Sequence, residues 1–162
     1  VQIYLANALG FASLGAQILE QVKEKLNNAG FAVHEPFEHS KDEGAELKSI
    51  MATNGDIKSI RIRSREISMK IGKKNTNALN KSDIIIALLD FSGADIDSGV
   101  AAEIGYANAI DKRIYGLRSD FRQGGENLGV DINLQVEYFI RASGGDIFYN
   151  LDQLISHLKA SS

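Results

Sequence analysis

The chain has 162 residues, enough for one domain with a two-layer or three-layer core, and with no cysteine it can form neither a disulfide nor a thiolate nucleophile nor a cysteine-based zinc site. Its 44% hydrophobic and 24% charged residues are those of an ordinary globular protein, and no apolar run approaches bilayer-spanning length, so neither disorder nor a membrane partner is expected. A net charge of -3 argues against general nucleic-acid binding, which needs a basic face, and points to a small partner.

In chain order, Gln2 to Ala6 reads as a first strand. The opening residues carry neither a basic lead nor a long apolar core, so no secretory signal is expected and cytoplasm is the expected compartment. Asn7 to Gly15 is a loop of small residues and glycine that leads into a helix from about Ala16 to Asn28. There Leu19, Val22 and Leu26 recur at helical spacing, with Glu20, Lys23, Glu24 and Lys25 on the other side. The loop lacks both the dinucleotide fingerprint and a P-loop lysine, which argues against a phosphate cradle. Ala29-Gly30 ends the helix, and Phe31 to His34 is a short second strand stopped by Glu35-Pro36. Strand, helix, strand at this spacing calls for a right-handed parallel crossover.

Residues 37 to 65 show no clear period. They read as a long charged connection, a possible lid, whose alternating Arg61, Arg63 and Arg65 fit a solvated edge better than an anion site. Helical spacing returns from Glu66 to Asn80 through Ile67, Ile71 and Leu79. His34, His39 and His157 are scattered without metal-ligand spacing, so no metal site is expected.

Ile84 to Leu89 is too short for an ordinary helix and rich in branched residues, as in a central strand buried on both faces. Asp90 ends it, a loop of Gly and Asp follows, and Asp97-Ser98 offers acceptors to cap a helix starting near Gly99. Such a strand, loop, helix unit has its acidic residues at the carboxyl end of the strand, where open α/β sheets place ligands. On the helix, Glu103 shares the apolar stripe of Val100 and Ala107. A carboxylate there either reaches out to solvent from the margin of the stripe or is paired and put to use.

Arg113 to Leu117 is a fourth strand, followed by a polar loop with three glycines, then Asp131 to Ile140 and Leu151 to Leu158 as helices. Together these elements imply one doubly wound α/β domain over residues 1–162, flavodoxin-like or Rossmann-like, with a parallel sheet of about five strands flanked by helices.

The run Asp97-Ser-Gly-Val-Ala-Ala-Glu103-Ile-Gly-Tyr-Ala resembles the signature of the nucleoside 2-deoxyribosyltransferase family: an Asp, a Gly two residues later, a Glu six after the Asp, then Gly-Tyr-Ala. The resemblance extends to Ile3-Tyr4-Leu5-Ala6, to Asn75 eight residues before Asp83, and to Ile132-Asn133-Leu134, and so spans nearly the whole chain. It implies that Glu103 is the nucleophile, that the Tyr4 hydroxyl holds its carboxylate, and that Asp97 hydrogen-bonds a sugar hydroxyl. By the same resemblance Asn75 would lie near the bound base, and Asn133 would reach in from a neighbouring subunit of a homo-oligomer, a dimer or hexamer with shared active sites; Asp90, Gly99 and Phe11 complete the expected substrate-binding residues. From the residues themselves, Asp97 and Asn133 fit helix caps equally well.

Breaking a deoxyribosyl N-glycosidic bond passes through a cationic sugar, which a carboxylate stabilises and can then trap. Asp90 and Asp97 are the acids available to the departing base. The implied activity is exchange of purine or pyrimidine bases on a 2′-deoxynucleoside, with a free nucleobase as second substrate and no cofactor. Two rivals stand beside it: an N-glycosidase of 2′-deoxynucleoside 5′-monophosphates, which the charge of Asp97 near the 5′ position would oppose, and a non-catalytic nucleotide-binding module, which would need neither Glu103 nor Asp97.

Overall fold

The computed structural model describes residues 1–90 and 95–161. Five parallel strands form one sheet in the order β2-β1-β3-β4-β5, with β1 Gln2–Ala6, β2 Ala32–His34, β3 Ile84–Leu88, β4 Arg113–Leu117 and β5 Ile147–Phe148. This is the flavodoxin-like order, in which the chain reverses direction across the sheet between β1 and β3. The helices are α1 Ser13–Asn28, α2 Pro36–His39, α3 Lys41–Met51, α4 Ile57–Lys81, α5 Ser98–Ala109, α6 Leu134–Ala142 and α7 Leu151–Ala160, with a 3-10 turn at Leu9–Phe11.

The period of two along each strand divides the core into two layers. Ile3 and Leu5, with Ile86, Leu88, Tyr115 and Leu117, face Leu19, Val22 and Leu26 of α1 and Leu154 and Leu158 of α7. Tyr4 and Ala6, with Ile85, Ala87 and Ile114, face Ala78 and Leu79 of α4, Val100, Ile104 and Ala107 of α5, and Val136 and Ile140 of α6. Tyr4 therefore points at α5 because it stands one residue out of step with Ile3 and Leu5.

Three departures from the sequence reading have local causes. The stretch 37–65 is not an irregular connection: α2 and α3 occupy its first part and α4 starts at Ile57 on an Asp56 cap, nine residues earlier than expected. In α4 only Ile67, Ala78 and Leu79 are buried, so the residues before Ile67 had no buried stripe to betray them. The helix expected at Asp131 starts at Leu134 behind its Asn133 cap, and α1 starts at Ser13. The fifth strand is only two residues long, pairing Gly116 with Ile147 and Leu117 with Phe148.

The turn before β5 is packed so closely that a Cβ on Gly145 would lie 1.6 Å from the Ile114 carbonyl oxygen, whereas one on Gly72, in the exposed middle of α4, would meet nothing within 4 Å. Gly145→Ala is expected to destabilise the protein by more than about 2 kcal/mol, and Gly72→Ala to stabilise it by about 0.5–1 kcal/mol through helix propensity. Urea unfolding of the two variants checks both signs.

Candidate active site

The buried polar residues Asn7, Glu35 and Arg118 stand just past the carboxyl ends of β1, β2 and β4. Asp97 caps α5, its Oδ1 accepting from the backbone N–H groups of Gly99 at 2.9 Å and Val100 at 3.1 Å. A side chain on Gly99 would bring its Cβ to 3.0 Å from that oxygen, so a glycine lets the cap close. Six residues on, about 9 Å along the helix axis, Glu103 sits beside the buried stripe of Val100, Ile104 and Ala107. The Tyr4 hydroxyl, on a fully buried side chain, donates to Glu103 Oε1 at 2.5 Å. The sequence left two fates open for Glu103, and the paired one is what the fold provides.

Burial pushes the Glu103 carboxyl up to about 7; the Tyr4 hydrogen bond opposes that shift, and the negative charges of Asp97 and Glu35 add to it. Burial, followed by the charge and hydrogen bond of Glu103 and the charge of Glu35, pushes the Tyr4 phenol far above its ordinary range. Tyr4 is thus a fixed donor, and Glu103 is a carboxylate on the edge of ionisation at neutral pH, close to what a nucleophile or base requires.

Glu35 was passed over in the sequence as the end of β2. It is 2% exposed, takes hydrogen bonds from Asn7 Nδ2 at 3.0 Å and from the backbone N–H groups of Phe37 at 3.1 Å and Glu38 at 2.8 Å, and caps α2. Asn7 in turn stands just past β1 and donates to the Leu5 carbonyl, so Glu35 and Asn7 tie the ends of β2 and β1 together. Beside them His34 stacks on Tyr4 with ring centroids 5.8 Å apart and on His39 at 3.6 Å. Burial and the neighbouring His39 hold the His34 imidazole down at about 4, against the pull of Glu38, so the ring next to Tyr4 is neutral at pH 7. The signal for Glu35 was an acid at the carboxyl end of a strand, the one that singled out Asp90.

The other expected residues divide. Asp90 is committed: Oδ2 accepts from the Ser119 N–H at 2.8 Å and hydroxyl at 2.5 Å, and Oδ1 from the Asp120 N–H at 3.0 Å, which ties the end of β3 to the loop after β4. Asn75 lies half-buried on α4 one turn before Ala78 and Leu79, in the layer that holds Tyr4. Phe11 is 82% exposed and meets Phe37 edge-on at 4.8 Å, an aromatic pair above the ends of β1 and β2. Asn133 caps α6 through Oδ1 and donates from Nδ2 to Glu126 at 2.7 Å. Among the described residues, no three His, Asp or Glu side chains come together in a way that could hold a metal ion.

The model of the nucleoside 2-deoxyribosyltransferase family matches residues 3–135, most of the chain, including Tyr4, Asp97, Glu103 and Asn133. The chain belongs to the nucleoside 2-deoxyribosyltransferase family. Its fold is shared with a conserved protein from Enterococcus faecalis V583, at 22% identity and a TM-score of 0.70, covering 100% of this chain and 99% of that one. It is shared also with a 2-deoxyribosyltransferase from Bacillus psychrosaccharolyticus, at 17% identity and a TM-score of 0.64, covering 96% of this chain and 90% of that one. A comparison with curated proteins gives no match.

Because the folded Glu103 value of about 7 lies above the unfolded carboxylate value of 4.5, its neutral form contributes stability that is complete below pH 4.5 and is lost as pH rises through 7. Glu103→Gln, which cannot ionise, is expected to match the parent protein at pH 4.5 and to exceed it by about 3 kcal/mol at pH 8.5. Denaturant unfolding at the two pH values measures this, and an equal difference at both would show that Glu103 is not desolvated.

Proposed function

We propose that this protein exchanges bases on 2′-deoxynucleosides, with Glu103 as the nucleophile that carries the sugar between them. The observation that supports the reading best is a largely buried carboxylate, held by a tyrosine that cannot ionise, at the carboxyl edge of a parallel sheet. As the C1′–N bond lengthens, the sugar gains positive charge that ionised Glu103 opposes electrostatically. The departing base keeps the bond's electron pair and gains a proton, while Glu103 forms a bond to C1′. An incoming base then attacks C1′, loses its own proton and releases Glu103, so the exchange balances and the configuration is retained.

Tyr4 holds Glu103 in one rotamer and stabilises the carboxylate as a leaving group in the second step. Asp97, close enough for its charge to raise Glu103, binds a sugar hydroxyl, and its charge disfavours a 5′-phosphate. Phe11 and Phe37 give a base an aromatic surface, and Asn75 lies in the same layer as Tyr4. Asp90, with three donors on its two oxygens, keeps the loop after β4 in place and contributes to the site by shaping it. The reading includes a homo-oligomer in which Asn133 completes a neighbour's site; exposed Leu134 and Tyr138 on α6 and Tyr106 on α5 form the kind of apolar surface that assembly would cover.

Incubation with deoxyinosine and free adenine should yield deoxyadenosine, and Glu103→Ala should lower that rate by about a thousandfold or more. Hypoxanthine without deoxyadenosine would indicate a hydrolase, and no reaction at all would indicate a binding module.

A further inference from the structure

Three rings lie in a row at the carboxyl ends of β1 and β2. Tyr4, which holds Glu103, stacks on His34 with centroids 5.8 Å apart, and His34 stacks on His39 at 3.6 Å. His39, at the end of α2, is the exposed member of the row. Two further contacts fix its surroundings: Phe37, two residues back, forms the edge-on pair with Phe11, and the His39 carbonyl accepts from Nζ of Lys74, the neighbour of Asn75 on α4, at 3.3 Å. His39 thus stands between the aromatic pair and Asn75, the two features that the base-exchange reading sets around the base.

The backbone decides which nitrogen of that ring is free. Nδ1 lies 3.0 Å from the Glu35 carbonyl oxygen, whose other lone pair takes the His39 backbone N–H at 3.3 Å. A carbonyl only accepts, so Nδ1 carries the proton and Nε2 of the neutral imidazole is a bare acceptor. Among the described residues Nε2 has no hydrogen-bond partner. The nearby charges are occupied: Lys74 is paired with Glu43 at 2.5 Å, and Glu38 with Lys23 at 2.9 Å. The Glu35 main chain is itself fixed, because its side chain caps α2 and takes the Asn7 amide.

We propose that Nε2 of His39 accepts an N–H of the bound base, so that the site selects bases that present one, such as adenine with its amino group, over bases that present none, such as unsubstituted purine. The proposal rests on the base-exchange reading for the class of ligand. An acceptor facing a C–H gains no hydrogen bond, and one facing a bare ring nitrogen is repelled, so the preference follows from the tautomer that the Glu35 carbonyl imposes.

With deoxyinosine as the common donor, kcat/KM for the acceptor base is compared between adenine and purine in the parent and in His39→Phe, which keeps a ring against His34 and removes both nitrogens. The variant should lose about five- to tenfold with adenine, the usual worth of one hydrogen bond, and less than about twofold with purine. Equal losses with the two bases, or no loss with either, overturn the proposal. Nitrogen NMR of the imidazoles at pH 8, above the usual range of their titration and assigned with the variant, reads the contact without catalysis. Nε2 of His39 should be unprotonated in the free protein, and adenine should move its signal while purine leaves it in place. Glu103→Gln, which cannot form the covalent intermediate, should give the same response. A proton on Nε2, or a signal that adenine does not move, overturns the proposal. That response without any exchange of bases supports the contact and counts against the base-exchange reading alone.

Discussion

Holding a carboxylate largely out of water, with a single hydroxyl to steady it, is the constraint around which this molecule is built. An unpaired buried carboxylate costs several kcal/mol, and one fully neutralised by a cation would be inert. The Tyr4 hydroxyl is intermediate: it supplies one hydrogen bond to Glu103 and no countercharge. Burial raises the carboxyl most, the hydrogen bond opposes it, and the negative charges of Asp97 and Glu35 add to the rise, so the carboxyl stays close to its own midpoint at neutral pH. The stability given up in this way is the same free energy that makes the group more basic than a solvated carboxylate.

The remainder of the fold serves to keep that arrangement rigid. Tyr4 is fixed because β1 lies between β2 and β3 and its alternation sends one residue in two toward α5. Glu103 is fixed because Asp97 sets where α5 begins and the stripe of Val100, Ile104 and Ala107 sets its rotation. Glu35 and Asn7 join the ends of β2 and β1, and Asp90 joins the end of β3 to the loop after β4. Each of these ties uses a polar side chain at a carboxyl end of the sheet, where an open α/β fold leaves a crevice, and none lies in the two apolar layers.

The sheet was legible because its longer strands are short apolar runs, whereas the spacing left two fates open for Glu103 and the resemblance singled it out. Less was legible where packing and pattern part company. The first half of α4 stands off the sheet, so nothing in its charged sequence marks an inner face, and Ile147–Phe148 is too short for a period of two to appear. Glu35 was hidden for another reason: next to Pro36 it reads as punctuation, and its burial arises only when β1 and α2 close over it. Asn133 was legible as a cap from its residue type, and its Oδ1 does cap α6 while its Nδ2 donates to Glu126. Arg118 looked like one more charge in a polar loop, and only the sheet edge places it in the interior.

The central claim is that the Tyr4 hydroxyl lowers the ionisation midpoint of Glu103 against the effect of burial and that Glu103 must be ionised for chemistry. The dependence of kcat/KM on pH, which reports the essential groups of the free enzyme, tests it most directly when the parent protein and Tyr4→Phe are compared on the same deoxynucleoside. The parent should gain activity as pH rises, with a midpoint near 7. In Tyr4→Phe the hydrogen bond that lowers the carboxyl is gone, and since such a bond to a charged group is worth about 1.5–3 kcal/mol the midpoint should move up by roughly one to two pH units. A Tyr4→Phe profile that superimposes on the parent's, or moves to lower pH, would contradict the account.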